Sequence, residues 1–418
     1  MGLGRKIYEF FFSALRYQAR WEKEMSDNIL GNKITLAILI VLTIPIVIFH
    51  IAYASGEFLG GKYAYGAVHF SPYVFWGATA IGFAAGLITG CIGAGGGFII
   101  APALMSMGVK GIMAVGTDQF HIFAKAIMGS VIHKKLGNVS VALAVAFIAG
   151  SIPGATLGGF INRFIYSKNP IWSDIFISSI YAILLGFLGF YTIYDYFSAR
   201  RKRHLIQTES QEKQIVGMTN LARKLQSMRG LPPRIKFDQE FGGREISWIF
   251  VAMGGFVVGL VAALMGVGGG FLAFPIMIYV LGVSTTTTVG TDLLQIIFTA
   301  GYSSIFQYAI YGYIAYVVEM GLLLGSLIGV QIGALTTKVV PGITIRGFYA
   351  VTIISAFVNR IFALPDKLRT LGYLNWPREF TLMINQIGNY LFWGIVLIFV
   401  LWVLYEFFKN LKSLRQEV

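Results

Sequence analysis

Residues Gly86–Pro102 read GLITGCIGAGGGFIIAP and Gly259–Pro275 read GLVAALMGVGGGFLAFP, so one glycine-rich block occurs twice in the chain. Gly93, Gly95, Gly96, Gly97, Phe98 and Pro102 answer Gly266, Gly268, Gly269, Gly270, Phe271 and Pro275 at a constant offset. Downstream, Val115-Gly116-Thr117-Asp118 answers Val289-Gly290-Thr291-Asp292. Gly150-Ser151-Ile152-Pro153-Gly154 then answers Gly325-Ser326-Leu327-Ile328-Gly329, and Gly158 answers Gly333. Motifs that recur in one order at nearly one spacing mark a duplicated unit. Whatever fold this chain adopts is built twice, as in many secondary transporters.

The duplicated units lie in apolar surroundings. Hydrophobic residues make up 56% of the 418 and charged residues only 12%, about half the share usual in a soluble domain. The apolar residues come in blocks: Ile34–Ile51, Pro72–Gly90, Ile175–Tyr194 and Tyr390–Leu404. These approach or reach the roughly 20 residues that cross a bilayer as a helix. The expected fold is an all-α polytopic membrane protein, with two homologous helical repeats broken at the glycines.

The formal net charge is +14, but it is not spread as a nucleic-acid groove. It sits in the N-terminal arm, in Ser198–Ile246 and in a tail with Lys409, Lys412 and Arg415. That pattern is a topology signal, because positive loops stay in the cytoplasm. The expected organisation follows from it. Residues 1–33 form a cytoplasmic arm, with surface-lying amphipathic character over Tyr8–Phe12 and Leu15–Trp21 rather than a plain signal peptide. Residues 34–54 form an extra span, 73–197 the first repeat, 198–246 a basic cytoplasmic linker, helical near Asn220–Met228, and 247–364 the second repeat. Residues 388–408 form a last span and 409–418 a cytoplasmic tail.

With both termini cytoplasmic, each repeat needs an odd number of crossings. We read the first as segments over 73–91, 95–108, 111–132, 139–161 and 172–196. An odd unit in tandem gives halves of opposite orientation. That inference depends on the short segment after the glycines reversing the chain.

Glycine weakens helices, so each cluster should break one at membrane depth, where broken backbone is tolerated only if protein or a cavity covers it. A fresh helix start there exposes N–H groups suited to an anion; the competing reading is close helix packing through small residues. Thr117 and Thr291 precede Asp118 and Asp292. Asp118, His121 and Lys125 share one helix face, as do Asp292, Gln295 and Thr299. Lys125 and His121 attract an anion, and Thr117, Thr291, Gln295 and Thr299 donate hydrogen bonds to its oxygens. Asp118, Asp292 and His121 are candidates for a coupling ion, since ionisable groups within spans are functional candidates; helix capping is the alternative for both aspartates. Arg360 is expected near a helix end, free to snorkel, with Arg346 a minor candidate and Gln331 a residue able to line a cavity.

The single Cys91 excludes a disulfide framework or thiolate metal site within one chain. No Walker loop, HExxH, GxSxG or metal-ligand cluster is present, so nothing points to an enzyme, a metal or a cofactor.

The paired GxGGG-x4-P segments, Gly93–Pro102 and Gly266–Pro275, each followed by a Gly-Thr block, Gly116–Phe120 and Gly290–Leu294, resemble the TauE/SafE sulfite exporter family over roughly residues 73–363. The resemblance implies a permease of the inner membrane, an exporter of sulfite or of a sulfonate such as sulfoacetate or taurine. Family members usually carry Ser or Asn after the Gly-Thr; here both positions are Asp. The expected partners are a small anionic substrate and the lipid bilayer, with proton or sodium coupling, no nucleic acid, and a homodimer as a compatible assembly. A passive anion channel and a membrane sensor or assembly protein stand as alternatives.

Overall fold

The computed structural model describes residues 72–92, 96–135, 140–205, 220–228, 233–238, 243–337, 339–340 and 342–410. The expectations for the N-terminal arm, the span 34–54, Gly93, Gly95 and residues 411–418 lie outside them.

The first half holds α1 (Pro72–Ile92), α2 (Gly97–Ser106), α3 (Gly111–Lys135), α4 (Val141–Lys168) and α5 (Pro170–Leu205). The linker contributes α6 (Asn220–Ser227), β1 (Arg234–Phe237) and β2 (Arg244–Ser247). The second half holds α7 (Trp248–Met265), α8 (Gly270–Pro275), α9 (Thr285–Tyr302), α10 (Tyr316–Thr336) and α11 (Gly342–Thr370), and α12 (Arg378–Lys409) follows. Helix α8 runs on as a π turn over Ile276–Val280; α9 runs on through a π segment, Ser303–Tyr308, and a 3-10 turn, Ala309–Tyr311. Helix α11 passes residue 364 and α12 starts well before residue 388. Polar residues such as Asp366 and Asn385 read as loop, but the helices continue through them until Gly372 and Pro377 interrupt.

Among the described residues, eight helices are long and apolar enough to cross a membrane. Helix α3, with 25 residues, has the length but carries Asp118, His121 and Lys125; Asp118 and His121 are 0% exposed, shielded by neighbouring helices. Bulky apolar side chains such as Trp76, Phe187, Phe190 and Ile398 stand on the outer surface, an arrangement suited to lipid rather than water.

Helix α2 has 10 residues, about 15 Å at 1.5 Å per residue, half of a hydrocarbon core of about 30 Å. It runs back along α1. Gly96 lies so close to Ala85 that a Cβ there would be 2.6 Å from the Ala85 carbonyl oxygen, and Met107, past the end of α2, reaches Gly77. The second half repeats the hairpin, with Gly269 against Val258 and Ala262, and Ile276 and Leu281 against Gly254.

Small residues set the long contacts. Gly82, Gly86 and Gly90 of α1 lie on Leu322, Ser326 and Val330 of α10, an ascending register, so these helices run parallel. Gly150, Gly154 and Gly158 of α4 lie likewise on Ala252, Phe256 and Leu260 of α7. Such stripes allow backbones to approach closely. Helices α3 and α9 run antiparallel, with Gly116 on Tyr308 and Phe123 on Gly301; so do α5 and α11, with Gly186 on Phe357 and Gly189 on Ile354. The pairings α1 with α10, α7 with α4, α3 with α9 and α5 with α11 are unchanged when the halves are exchanged, the logic of a two-fold interface.

The linker is more ordered than its polarity suggests. β1 and β2 pair antiparallel, with Ile235 opposite Ile246 and Phe237 opposite Arg244. Ile235, Phe237 and Ile246 join Phe147, Met277 and Leu281 in one apolar cluster.

Candidate functional site

Helices α3 and α9 carry their polar faces beside the two broken helices, while the contact between α3 and α9 themselves is apolar, with Ile122, Phe123 and Ala126 against Ile296 and Ala300. Gly266, Gly268 and Gly269 have positive φ (84°, 66° and 88°), a conformation that glycine alone adopts without strain. Helix α7 therefore stops at Gly266 and α8 restarts at Gly270.

A helix end leaves its last carbonyls without partners. Here four side chains supply them. Gln119 Nε2 donates to the Ala262 oxygen at 2.8 Å, Asn162 Nδ2 to Ala263 and Leu264 at 3.2 and 3.1 Å, Tyr308 Oη to Ala263, and Tyr181 Oη to Met265. None of these residues was a sequence candidate. Gln119 adjoins Asp118, but Asn162, Tyr181 and Tyr308 give no local signal.

The helix starts after the glycines are faced by the protein's own carboxylates. A Cβ on Gly97 would lie 3.4 Å from Asp118 Oδ1, and one on Gly270 would lie 3.1 Å from Asp292 Oδ2. A negative group near a helix N-terminus is favourable, so each aspartate takes the place that sequence reasoning offers to a free anion. The threonines are also engaged. Thr117 Oγ1 accepts from Ala315 N at 3.0 Å and Thr291 Oγ1 from Ser140 N at 3.0 Å. Each secures the start of the fourth helix of the opposite half.

Beyond this shared frame the two copies differ. In the second, Gln295 Nε2 donates to Asp292 Oδ1 at 2.7 Å, Thr299 Oγ1 donates to Gln295 Oε1 at 2.9 Å, and Thr299 lies 2.6 Å from Ser151 Oγ. In the first, His121 Nδ1 lies 3.2 Å from Glu319 Oε1 of α10, with both side chains almost fully buried. Lys125 Nζ donates to Thr89 Oγ1 at 3.3 Å, and that hydroxyl also accepts from Gly96 N at 2.7 Å, tying Lys125 to the break after α1. Lys125 acts electrostatically on both Asp118 and Glu319. Among the described residues, His121 Nε2 and Glu319 Oε2 are buried without a hydrogen-bond partner, and the carboxylate of Asp118 has none closer in geometry than the backbone of Ala101. Buried polar atoms are nearly always paired, so this cluster is incomplete as it stands. Sequence reading passed over Glu319, although an acid inside the apolar run of α10 is itself a signal.

The remaining candidates fall elsewhere. Arg360 does not snorkel: it is 2% exposed, because α11 continues to Thr370 and holds it in the interior. Its Nε donates to Asn359 Oδ1 at 2.8 Å, Asn359 Nδ2 donates to Asn389 Oδ1 at 2.7 Å, and Tyr181 is within its electrostatic reach. Gln331 is exposed on α10. Among the described residues no group of three or more His, Cys, Asp or Glu is placed to hold a metal ion.

A bundle of membrane-length helices, with broken helices and a buried ionisable cluster at the repeat interface, defines a polytopic membrane transporter. The match to known proteins is in keeping. The family model of the sulfite exporter TauE/SafE matches residues 78–360, and the chain belongs to that family. It is 25% identical over 263 residues to the probable membrane transporter protein YunE of Bacillus subtilis, covering 61% of this chain and 85% of that protein. It is 23% identical over 254 residues to the probable membrane transporter protein YjnA of the same organism, covering 61% and 87%. A third relative, the probable membrane transporter protein ORF9 of a Sinorhizobium species, is 32% identical over 104 residues, covering 25% and 38%. No solved structure gives a significant match. The protein is thus a multi-pass membrane protein of a transporter family, and not an enzyme.

Proposed function

We propose that this protein is a secondary transporter that exports a small sulfur-containing oxyanion, sulfite or an organosulfonate, across the inner membrane in linkage with protons. The observation that carries the reading is the incomplete buried cluster of Asp118, His121, Lys125 and Glu319. With both acids ionised, Lys125 charged and His121 neutral, the cluster holds one negative charge in excess and repels an anion. Each proton taken up by the acids moves it one charge toward the positive. With both acids protonated, it presents Lys125 uncompensated, with the carboxyl O–H groups as donors. Anion and proton then favour one another's binding, and that linkage is reciprocal.

Opposite orientation of the halves completes the reading. Helix α3 ascends with α10, pairing Thr117 with Ala315 and His121 with Glu319, and α10 runs with α1. Helix α9 ascends with α4, pairing Thr291 with Ser140 and Thr299 with Ser151, and α4 runs with α7. Since α3 and α9 are antiparallel, α1 and α7 run in opposite directions. This supports inverted repeats, and alternating access in which one α3–α9 face opens at a time. Asp118 and His121 at 0% exposure fit an occluded site rather than a continuous pore.

The test is sulfite, taurine and sulfoacetate flux in proteoliposomes, with and without a pH gradient. The expected result is saturable uptake accelerated by the gradient and abolished in Lys125→Met. Non-saturating flux that ignores the gradient would replace the transporter with a channel.

A further inference from the structure

A groove of about 580 Å³ runs down the outside of the bundle between α4 and the end of α9. One wall is a stripe of α4, with Ile152, Pro153, Leu157 and Phe160 leading to Arg163. From Ile152 to Arg163 the helix rises about 16 Å, close to the hydrocarbon depth of one leaflet, about 15 Å. The groove is therefore apolar over one acyl-chain length and ends at a guanidinium.

That guanidinium has donors to spare. Nη1 donates to the Gln307 backbone oxygen and to Gln307 Oε1, both at 2.7 Å, and the group lies 4.1 Å from the centroid of the Tyr311 ring. Among the described residues Nε and Nη2 have no hydrogen-bond partner, and no carboxylate lies within ion-pair distance of Arg163. A charge at this position is costly unless something neutralises it, and the free Nε–Nη2 edge has the fork geometry that binds a phosphate through two parallel hydrogen bonds.

We infer that this groove binds an anionic phospholipid, one acyl chain lying along Ile152–Phe160 and the phosphate meeting Arg163. A free inorganic anion fits poorly, because the walls are apolar and would strip its water without replacing it. The site is separate from the ionisable cluster. Its floor is the π segment of α9, where Gln307 Nε2 reaches Tyr302 Oη at 3.2 Å and Tyr302 Oη meets Thr156 Oγ1 at 2.8 Å. A bound lipid thus steadies the end of the helix that carries Asp292, Gln295 and Thr299.

The experiment is thermal unfolding of the detergent-purified full chain titrated with phosphatidylglycerol, with phosphatidylcholine, or with inorganic phosphate. Phosphatidylglycerol should raise the midpoint in a saturable way, and Arg163→Gln should weaken that binding about tenfold, the scale of one charge-assisted hydrogen bond. Equal stabilisation by phosphatidylcholine, or an undiminished response in Arg163→Gln, would reduce the groove to ordinary lipid contact and overturn the inference. Saturable stabilisation by inorganic phosphate alone would overturn the lipid as its source. Should Arg163→Gln not fold, Phe160→Ser, at an exposed wall position, is read in its place. Weaker phosphatidylglycerol binding there supports the inference, and unchanged binding overturns it.

Discussion

The α3 and α9 faces are copies of one design in two chemical states. Both place an aspartate at the start of a short helix and a threonine under the start of a helix from the other half. On α9 the remaining positions are Gln295 and Thr299, neutral groups that complete one another's hydrogen bonds through to Ser151. On α3 they are His121 and Lys125, which with Glu319 leave buried atoms unpaired. On α9 Asp292 is the ionisable group, and Gln295 and Thr299 complete their hydrogen bonds around it. The α3 cluster is charged and incomplete, and the comparison teaches that the two copies share one scaffold but differ in the polar groups placed on it.

The same contrast appears at the turns that feed these helices. Gly111 N, at the start of α3, donates to Asp174 Oδ1 at 2.7 Å, and Asp174 is paired with Lys367 at 3.0 Å, all within the bundle. Ser284, at the start of α9, is held instead by Asp238 of the linker, through N to Oδ2 at 2.8 Å and Oγ to Oδ1 at 2.7 Å. Arg244 Nη1 and Gln226 Nε2 donate to Gly282 and Leu281 of the same turn. The described part of the linker is therefore packed on the second half and on Phe147 of α4, and is more than a tether.

The sharpest way to break the comparison is to remove the charge on one side. Lys125→Met should abolish flux and, by leaving buried carboxylates without their cation, cost about 3–5 kcal/mol in stability; denaturant unfolding and proteoliposome flux measure both. Thr299→Val should leave flux within about twofold and cost about 1 kcal/mol. Comparable losses of flux in the two would dissolve the distinction. Next comes the pH response. Anion affinity should rise as pH falls, because protonating Asp118 and Glu319 unmasks Lys125, and Asp118→Asn should flatten that dependence while Asp292→Asn keeps it. A flattened profile in Asp292→Asn would place the coupling group on α9.

The threonine pair tests the shared frame. Thr117→Val and Thr291→Val each strand one backbone N–H and should cost a similar 1–3 kcal/mol or so, read as equal shifts in thermal midpoint. Asp238→Ala gives the smallest effect, about 1 kcal/mol for loss of a helix-start contact. Limited proteolysis should then show the linker cut faster, with transport retained if the hairpin is only a brace.

Much of this frame was readable in the residues. The duplicated glycine blocks marked both breaks, and the spacing of Asp118, His121 and Lys125 put them on one face. Other parts were not. His121 meets Glu319 from the far half of the chain, Asn162 and Tyr308 cap a helix to which neither belongs, and Arg360 is buried by a helix that outlasts its apolar run. The small residues of α1, α4, α7 and α10 were legible as a repeat, but nothing local said that α1 would lie on α10 and α4 on α7.

Local physics is written in order along a chain. Apolar length, glycine at a helix break and the period of a helix face depend on neighbours a few residues away, so the sequence alone determined a membrane-embedded, twice-built helical protein with a polar face in each copy. Which face stays open depended on partners brought together from opposite halves: Glu319 beside His121, Ser151 beside Thr299, Thr89 beside Lys125. Only the tertiary structure decided that, because satisfying a buried polar atom requires a partner at hydrogen-bond distance in space, whatever its distance in sequence.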